Sequence, residues 1–280
     1  MEEFQTQSLT DDKNLQGYIW RTEAAPRAVI SLVHGFGEHS GRYAPMAEAL
    51  NDAGIAMVTL DLRAHGRSEG KRGVVHNYEN FYGDVDALIQ KTRAEFPDSP
   101  HILMGHSMGG ALVMNYRLAR DLPHTLAYII TAPLLELTTP YSESLRPFMN
   151  ILRKLAPNFT FGKPLPSDHI SSLRKEAVKY ENDPLIGGPV NAGLGLDMID
   201  YGRKALARAK DWNAPLLLMH SHHDKITDCD ASAEFAAQAQ QVEFIAYDKA
   251  AHEIHNDVTR ADVYKEIINF IEAQLAIREI

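Results

Sequence analysis

Cysteine is almost missing from this chain: Cys229 is the single one in 280 residues. No intramolecular disulfide can staple the fold, and a multi-cysteine zinc site is excluded. Nowhere does a run of about 18 apolar residues occur, so no membrane-crossing helix is expected. The opening residues, Met1-Glu2-Glu3-Phe4-Gln5, lack the basic stretch and apolar centre of a secretory signal. The expected location is therefore cytoplasmic, with any membrane contact peripheral. Positive charge is in deficit: 28 Lys and Arg stand against 37 Asp and Glu, a net charge of −9. That argues against a nucleic-acid partner, which needs clustered cations for phosphate. Internal repeats, low-complexity tracts and a Walker pattern are absent too. What is present is 45% hydrophobic and 23% charged, the balance of an ordinary soluble globular protein. At roughly 150 residues per domain the length suggests about two domains, although an α/β fold of this size often forms one.

Short apolar runs alternate with longer helical patterns. Ala28 to Val33, Ile55 to Leu60, His101 to Met104, Leu126 to Ile130, Leu216 to Met219 and Val242 to Tyr247 read as strands. Pro45 to Ala53, Asn80 to Glu95, Gly109 to Arg120, Ser232 to Gln240 and Val258 to Ile277 read as helices. Strands with no in-and-out alternation are buried on both faces. Their alternation with helices predicts an α/β fold with a mostly parallel sheet. Phe4 to Leu9 and Leu15 to Arg21 flank the turn signal Asp11-Asp12-Lys13-Asn14 and predict an antiparallel hairpin entering that sheet. From about Leu135 to Gly195 the rhythm breaks. Prolines 140, 147, 157, 164, 166, 184 and 189 punctuate a stretch with no convincing strand. A structureless loop of that length does not suit a compact domain. The expected organisation is thus a core of residues 1–134 and 196–280 with a helical cap, 135–195, inserted. Leu145, Phe148, Met149, Leu152 and Leu155 fall near helical spacing, with Arg146, Arg153 and Lys154 between them. This pattern fits a cap helix packed on the core, or an interfacial helix that touches lipid.

Gly105-His106-Ser107-Met108-Gly109 fits G-x-S-x-G between a predicted strand and a predicted helix, the context that motif needs. The serine would sit on a sharp strand-to-helix turn with its hydroxyl projecting. A serine hydroxyl is a weak nucleophile and requires a base and an orienting acid. In this type of fold they follow in the order Ser, Asp/Glu, His. Asp224, in Ser221-His222-His223-Asp224, and His252, in Ala250-Ala251-His252-Glu253, both follow strand ends, where open α/β sheets build their sites. His252 would move the Ser107 proton, and Asp224 would fix its tautomer. Asp228 and Asp230 are rival acids that read better as helix caps. His255 is a rival base. His34-Gly35-Phe36-Gly37 follows the first core strand, and the backbone N–H groups of Phe36 and Met108 are the candidate oxyanion donors.

Other signals are weaker. Gly35-x-Gly37 mimics a dinucleotide fingerprint, but the next glycine, Gly41, comes one position late. Gly187-Gly188 and Gly193-x-Gly195 read as turns. His252-Glu253-Ile254-His255 is one residue short of H-E-x-x-H, so no metal and no cofactor are expected. Cys229, five residues past Asp224, reads as a small helix-start residue, the alternative being a thiol near the site.

Taken in order, Val33 to Tyr43 (VHGFGEHSGRY), Asp61 to Gly70 (DLRAHGRSEG), Gly105 to Gly110 (GHSMGG) and Ala251 to Asn256 (AHEIHN) resemble the monoacylglycerol lipase and lysophospholipase group of the α/β-hydrolases. The resemblance covers nearly the whole chain and includes YENDPL at Tyr180 to Leu185. It implies an eight-stranded α/β-hydrolase sheet with a helical cap, and Ser107, Asp224 and His252 as triad. It also implies Glu38, Arg42 and His255 as a polar pocket for glycerol, although Glu38 and Arg42 also read as a structural ion pair. Ala64 departs from the glycine usual in D-x-R-G-H-G.

The expected reaction is hydrolysis of a monoacylglycerol to fatty acid and glycerol through an acyl-enzyme, with a small lipid ester as the partner. The apolar cap residues Leu145, Phe148, Met149, Leu152 and Phe159 would hold the acyl chain. The rivals are a lysophospholipase using Arg42, Arg146, Arg153 and Lys154, a short-chain esterase, and a non-catalytic ligand-binding module.

Overall fold

The computed structural model of the chain describes residues 1–278. Its centre is an eight-stranded sheet in the order β1-β2-β4-β3-β5-β6-β9-β10. These strands are β1 (Glu2–Gln7), β2 (Asn14–Trp20), β3 (Ala28–Val33), β4 (Ile55–Leu60), β5 (His101–His106), β6 (Thr125–Thr131), β9 (Leu216–Ser221) and β10 (Val242–Tyr247). β1 and β2 form the expected hairpin, and β2 meets β4 antiparallel. Every other neighbour is parallel. The helices are α1 (Ala44–Asp52), α2 (Asn80–Glu95), α3 (Met108–Ala119), α4 (Arg146–Leu155), α5 (Ser167–Ile170), α6 (Arg174–Asn182), α7 (Ala192–Ala207), α8 (Cys229–Gln238) and α9 (Arg260–Arg278). Two-residue strands β7 (Thr160–Phe161) and β8 (Val190–Asn191) form a separate ribbon.

Successive residues of a strand point to opposite faces, and here both faces are covered. Leu103 joins Val85, Leu112, Trp212 and Phe235 on one side. Its neighbours Ile102 and Met104 join Met46, Leu50, Val263 and Ile267 on the other. This is the physical reason the central strands read as unbroken apolar runs. The parallel strands end together, so the loops after β3, β5, β9 and β10 open on one edge of the sheet, with residues 135–191 above them.

The predicted boundary at residue 195 falls inside a helix. Gly193 and Gly195 lie in the first turns of α7, whose N-cap Asn191 accepts the Leu194 N–H at 3.1 Å. Capping by that side chain outweighs the turn signal of the glycines. α4 also departs from its expected orientation. No residue of α4 is buried, and Leu145, Phe148, Leu155 and Phe159 are 53 to 82% exposed. Arg153 grips Asp197 of α7 through two bonds of 2.7 and 3.0 Å, and Arg146 reaches Asp200 at 2.9 Å. Arg146 and Arg153 thus face the molecule and Leu145, Phe148, Ile151 and Leu155 face solvent, while Met149 and Leu152 are half-buried, because α7 offers carboxylates where a core would offer apolar groups.

Candidate active site

Ser107 occupies the sharp turn between β5 and α3 with φ 53° and ψ −119°, a left-handed conformation for a non-glycine residue. The turn is over-determined. The Ser107 N–H donates to Thr131 O at 3.0 Å, and its carbonyl accepts the N–H of Leu134 at 3.0 Å and of Ala111 at 3.1 Å. A Cβ on Gly109 would lie 2.3 Å from the carbonyls of Val33 and His34, so only glycine lets α3 come this close to β3. Such a turn holds the hydroxyl away from the sheet at the N-terminus of α3.

Asp224 follows β9, and His252 follows β10. His252 Nδ1 donates to Asp224 Oδ2 at 2.6 Å. The same oxygen accepts Thr227 Oγ1 at 2.8 Å and His220 Nε2 at 3.1 Å, while Oδ1 accepts the N–H groups of Ile226 at 2.7 Å and Thr227 at 3.1 Å. Burial alone would raise this carboxyl. The charge of His252 and the hydrogen bonds from His220 and His252 outweigh it and hold Asp224 far below the usual carboxylate range. Burial likewise pulls His252 down, but the Asp224 charge and hydrogen bond raise it above its ordinary value. With Nδ1 committed to Asp224, Nε2 is the nitrogen left for chemistry. Ser107 and His252 line the same chamber. Asp228 is the N-cap of α8, its side chain accepting the Asp230 N–H at 3.0 Å, as read from the sequence.

The loop after β3 closes against the serine: a Cβ on Gly35 would lie 3.1 Å from Ser107 Cβ. Gly37 has φ +75°, and a side chain there would strike Gly187 O at 2.2 Å. In return Gly187 N–H donates to Gly37 O at 2.9 Å, and Gly35 N–H donates to Glu38 Oε1 at 2.6 Å. Among the described residues, no acceptor takes the backbone N–H of Phe36 or of Met108. Ala64, where the related motif has glycine, keeps the left-handed turn at φ 59°.

Beside the chamber lies a buried charged cluster. Arg42 Nη2 bonds Glu253 Oε2 at 2.5 Å, and its Nε stands 3.6 Å from Glu38 Oε2. Tyr43 OH donates to Glu38 Oε1 at 2.7 Å. Burial, then the Glu253 charge, push the Glu38 carboxyl up to about 7 despite Arg42. Glu38 and Glu253 line the chamber, whereas Arg42 and His255 do not. The His255 ring is stacked on Tyr43 at 4.8 Å and set edge-on to His106 at 4.8 Å, which turns it away from the chamber. Arg42 lies under Tyr180 and faces an outer cleft. Of the three residues expected to form the polar pocket, Glu38, Arg42 and His255, Glu38 lines the chamber, and Arg42 stands behind it, paired with both lining carboxylates. Glu253, which sequence reasoning missed, joins it, and its signal was adjacency to His252.

The chamber measures about 300 Å³, and apolar side chains including Leu134, Leu137, Phe161, Leu165, Val190 and Met198 line most of it. None of Leu145, Phe148, Met149, Leu152 and Phe159 lines it. They ride on or beside α4, whose ionic anchoring to α7 leaves Leu145, Phe148 and Phe159 exposed and Met149 and Leu152 half-buried. Cys229 is buried, and burial, with the flanking carboxylates, pushes its thiol up to about 11.

Comparison with known proteins matches residues 24–259 to the serine aminopeptidase S33 family. A monoacylglycerol lipase of Mycolicibacterium smegmatis is 30% identical over 260 residues, covering 92% of each chain. An abhydrolase domain-containing protein of Dictyostelium discoideum is 28% identical over 271 residues, of which this chain spans only 29% of the length. The crystal structure of a soluble variant of the Saccharomyces cerevisiae monoglyceride lipase superposes with a TM-score of 0.87 at 20% identity, covering 97% of this chain and 94% of that one. Relatives named as lipases and esterases agree with the serine turn and its surroundings in making this a carboxylic ester hydrolase. The chain belongs to the serine aminopeptidase S33 family, within the monoacylglycerol lipase and lysophospholipase group of the α/β-hydrolases.

Proposed function

We propose that the protein hydrolyses monoacylglycerols to a fatty acid and glycerol. One observation carries this reading: a single chamber joins an apolar wall to two carboxylates, Glu38 and Glu253, next to Ser107. The acyl chain suits the apolar wall, and glycerol hydroxyls donate to the carboxylates. Ser107 Oγ attacks the ester carbonyl as His252 Nε2 takes its proton. The Phe36 and Met108 N–H groups hold the oxyanion. His252 then protonates the departing glycerol oxygen, leaving an acyl-enzyme. A water deprotonated by His252 releases the fatty acid. Asp224 keeps the tautomer and offsets the imidazolium charge.

The lysophospholipase reading loses support from the same geometry. Arg146 and Arg153 are paired with Glu143, Asp200 and Asp197, and Arg42 is spent between two carboxylates. A phosphodiester beside Glu38 and Glu253 would find no buried cation free of a carboxylate partner among the chamber-lining residues. Lys163 is the one cation among the chamber-lining residues, and it is exposed. No helix among the described residues is long and apolar enough to cross a membrane. The exposed face of α4 supports peripheral contact with lipid through the 135–191 cap. The test is kcat/KM on lauroylglycerol against lauroyl-lysophosphatidylcholine, with Ser107→Ala alongside. A clear preference for the glyceride, lost in Ser107→Ala, is expected. Preference for the lysophospholipid would overturn the substrate, and full activity in Ser107→Ala would overturn the mechanism.

A further inference from the structure

We infer that His220 is a positioning residue for Asp224, set by Ser232 and acting through the acid on His252. The inference rests on reading Ser107, Asp224 and His252 as the triad.

His220 is the penultimate residue of β9 and is fully buried. Its Nε2 lies 3.1 Å from Asp224 Oδ2 and 3.2 Å from Thr227 O. Its Nδ1 lies 2.8 Å from the Oγ of Ser232, also fully buried, on α8. An ionised carboxylate only accepts. Nε2 must therefore carry a hydrogen, shared between Asp224 and the Thr227 carbonyl. In that tautomer Nδ1 accepts the Ser232 hydroxyl hydrogen, and this is the only hydrogen bond of that hydroxyl among the described residues. The opposite tautomer would aim a nitrogen lone pair at the carboxylate. The chain of donors thus runs from Ser232 to His220 to Asp224 Oδ2, where His252 Nδ1 arrives from the other side at 2.6 Å.

Two imidazoles sharing one carboxylate oxygen have a definite consequence. His220 fixes the rotation of the carboxylate and draws off part of the charge that would otherwise fall on His252. Neither effect needs His220 to touch the substrate. A histidine whose role was core packing alone would be matched by any apolar side chain of its size.

The experiment compares His220→Leu, His220→Gln, Ser232→Ala and Asp224→Asn by kcat, KM and the pH profile of kcat/KM on a soluble ester. His220→Leu removes the donor and is expected to lower kcat about tenfold to a hundredfold, the worth of a hydrogen bond to a charged group, with KM unchanged. The acid limb moves to higher pH, because His252 then faces an undiluted carboxylate. His220→Gln restores an N–H donor and is expected to recover most of kcat and return the limb. Ser232→Ala frees the tautomer and is expected to move the limb the same way with a smaller loss. If His220→Leu does not fold, the Gln and Ala variants decide by the same limb. A folded His220→Leu with wild-type kcat and limb, equal losses in Leu and Gln, or an unmoved limb in Ser232→Ala would each overturn the inference. Asp224→Asn separates the layers. If it is inactive while His220→Leu is normal, the inference alone falls. If it is fully active, the triad reading falls first.

Discussion

Acidification from pH 7.5 to 5.5 is expected to strip away much of the stability of this protein, through histidines that fold neutral. Burial depresses His34, His65 and His101 to about 3, His255 to about 4 and His106 well below its ordinary value. The hydrogen bonds show the cost directly. His34 Nδ1 donates to Gly35 O at 2.7 Å while its Nε2 accepts the Leu62 N–H at 2.8 Å, so a second ring proton would collide with that donor. His101 Nε2 donates to Ser31 at 2.8 Å, and Nδ1 accepts Thr125 at 3.2 Å. The folded values lie below the unfolded 6.5. The unfolded chain therefore binds more protons, and this stability is complete above 6.5 and is lost as the pH falls from there. At pH 5.5 each such histidine costs about 1.4 kcal/mol, or about 7 kcal/mol for the group. Glu38, raised to about 7, works in the opposite sense and returns about 2 kcal/mol as the folded state takes up its proton. His252, also raised, works in the same sense as Glu38. A loss of up to about 5 kcal/mol is a large share of the about 5–15 kcal/mol of a typical domain. Urea titrations followed by the fluorescence of buried Trp212 at the two pH values measure it. His101→Gln, which keeps a donor toward Ser31, is expected to reduce the loss by about 1.4 kcal/mol. Stability at pH 5.5 within about 1 kcal/mol of that at 7.5 would refute the reasoning.

Other outcomes follow from single features. Asp84 is fully buried and takes two bonds from the Arg63 side chain, at 2.9 and 2.6 Å. Asp84→Ala leaves that guanidinium only the exposed Asp11, at 2.9 Å, and the Ser8 hydroxyl, at 2.6 Å, and is expected to cost about 3 kcal/mol in urea unfolding. Phe148→Asp with Leu155→Asp alters two exposed side chains of α4. It is expected to leave the melting temperature and the rate on a dissolved short-chain ester unchanged and to lower the rate on vesicle-borne substrate. Equal rates in both assays would remove the lipid-contact role of α4. Cys229, its thiol held near 11, is expected to survive iodoacetamide at pH 7 with full activity retained. Rapid inactivation would contradict its burial.

The sheet was legible because its central strands are apolar on both faces, and α2 because Phe81, Val85, Leu88 and Ile89 keep helical spacing up to Pro97. Ser107 was legible because its turn needs small residues at fixed positions. Asp224 and His252 were candidates from chain order and strand ends, which is coarser information. The chamber was not legible. Its wall comes from residues far apart in sequence, such as Leu134, Phe161, Val190 and Met198. The one obvious apolar stripe, on α4, leaves Phe148 and Leu155 in solvent because Arg153 and Arg146 find carboxylates on α7. Glu253 and His220 were missed for a related reason: each sits beside a recognised residue, and only the fold shows which way it points.

Backbone hydrogen bonds sew the cap to the core at several seams, including Glu136 and Thr138 against Asp228 and Ile226 and Asn191 against Gly73, and two more reach the loops of the site. Gly187 is tied to the loop after β3, and the carbonyls of His169 and Ile170 accept the N–H groups of His252 and Glu253 at 3.1 and 2.9 Å. Moving either seam would drag the loops that hold Phe36 and His252, so neither can serve as a door without disabling what lies behind it. The remaining span, around α4, is held to α7 largely by ion pairs at the molecular surface, each worth about 1 kcal/mol or less and weakened by salt. Ionic strength therefore acts on how α4 is seated on α7. Added salt is expected to loosen that helix and to leave the backbone-bonded seams in place.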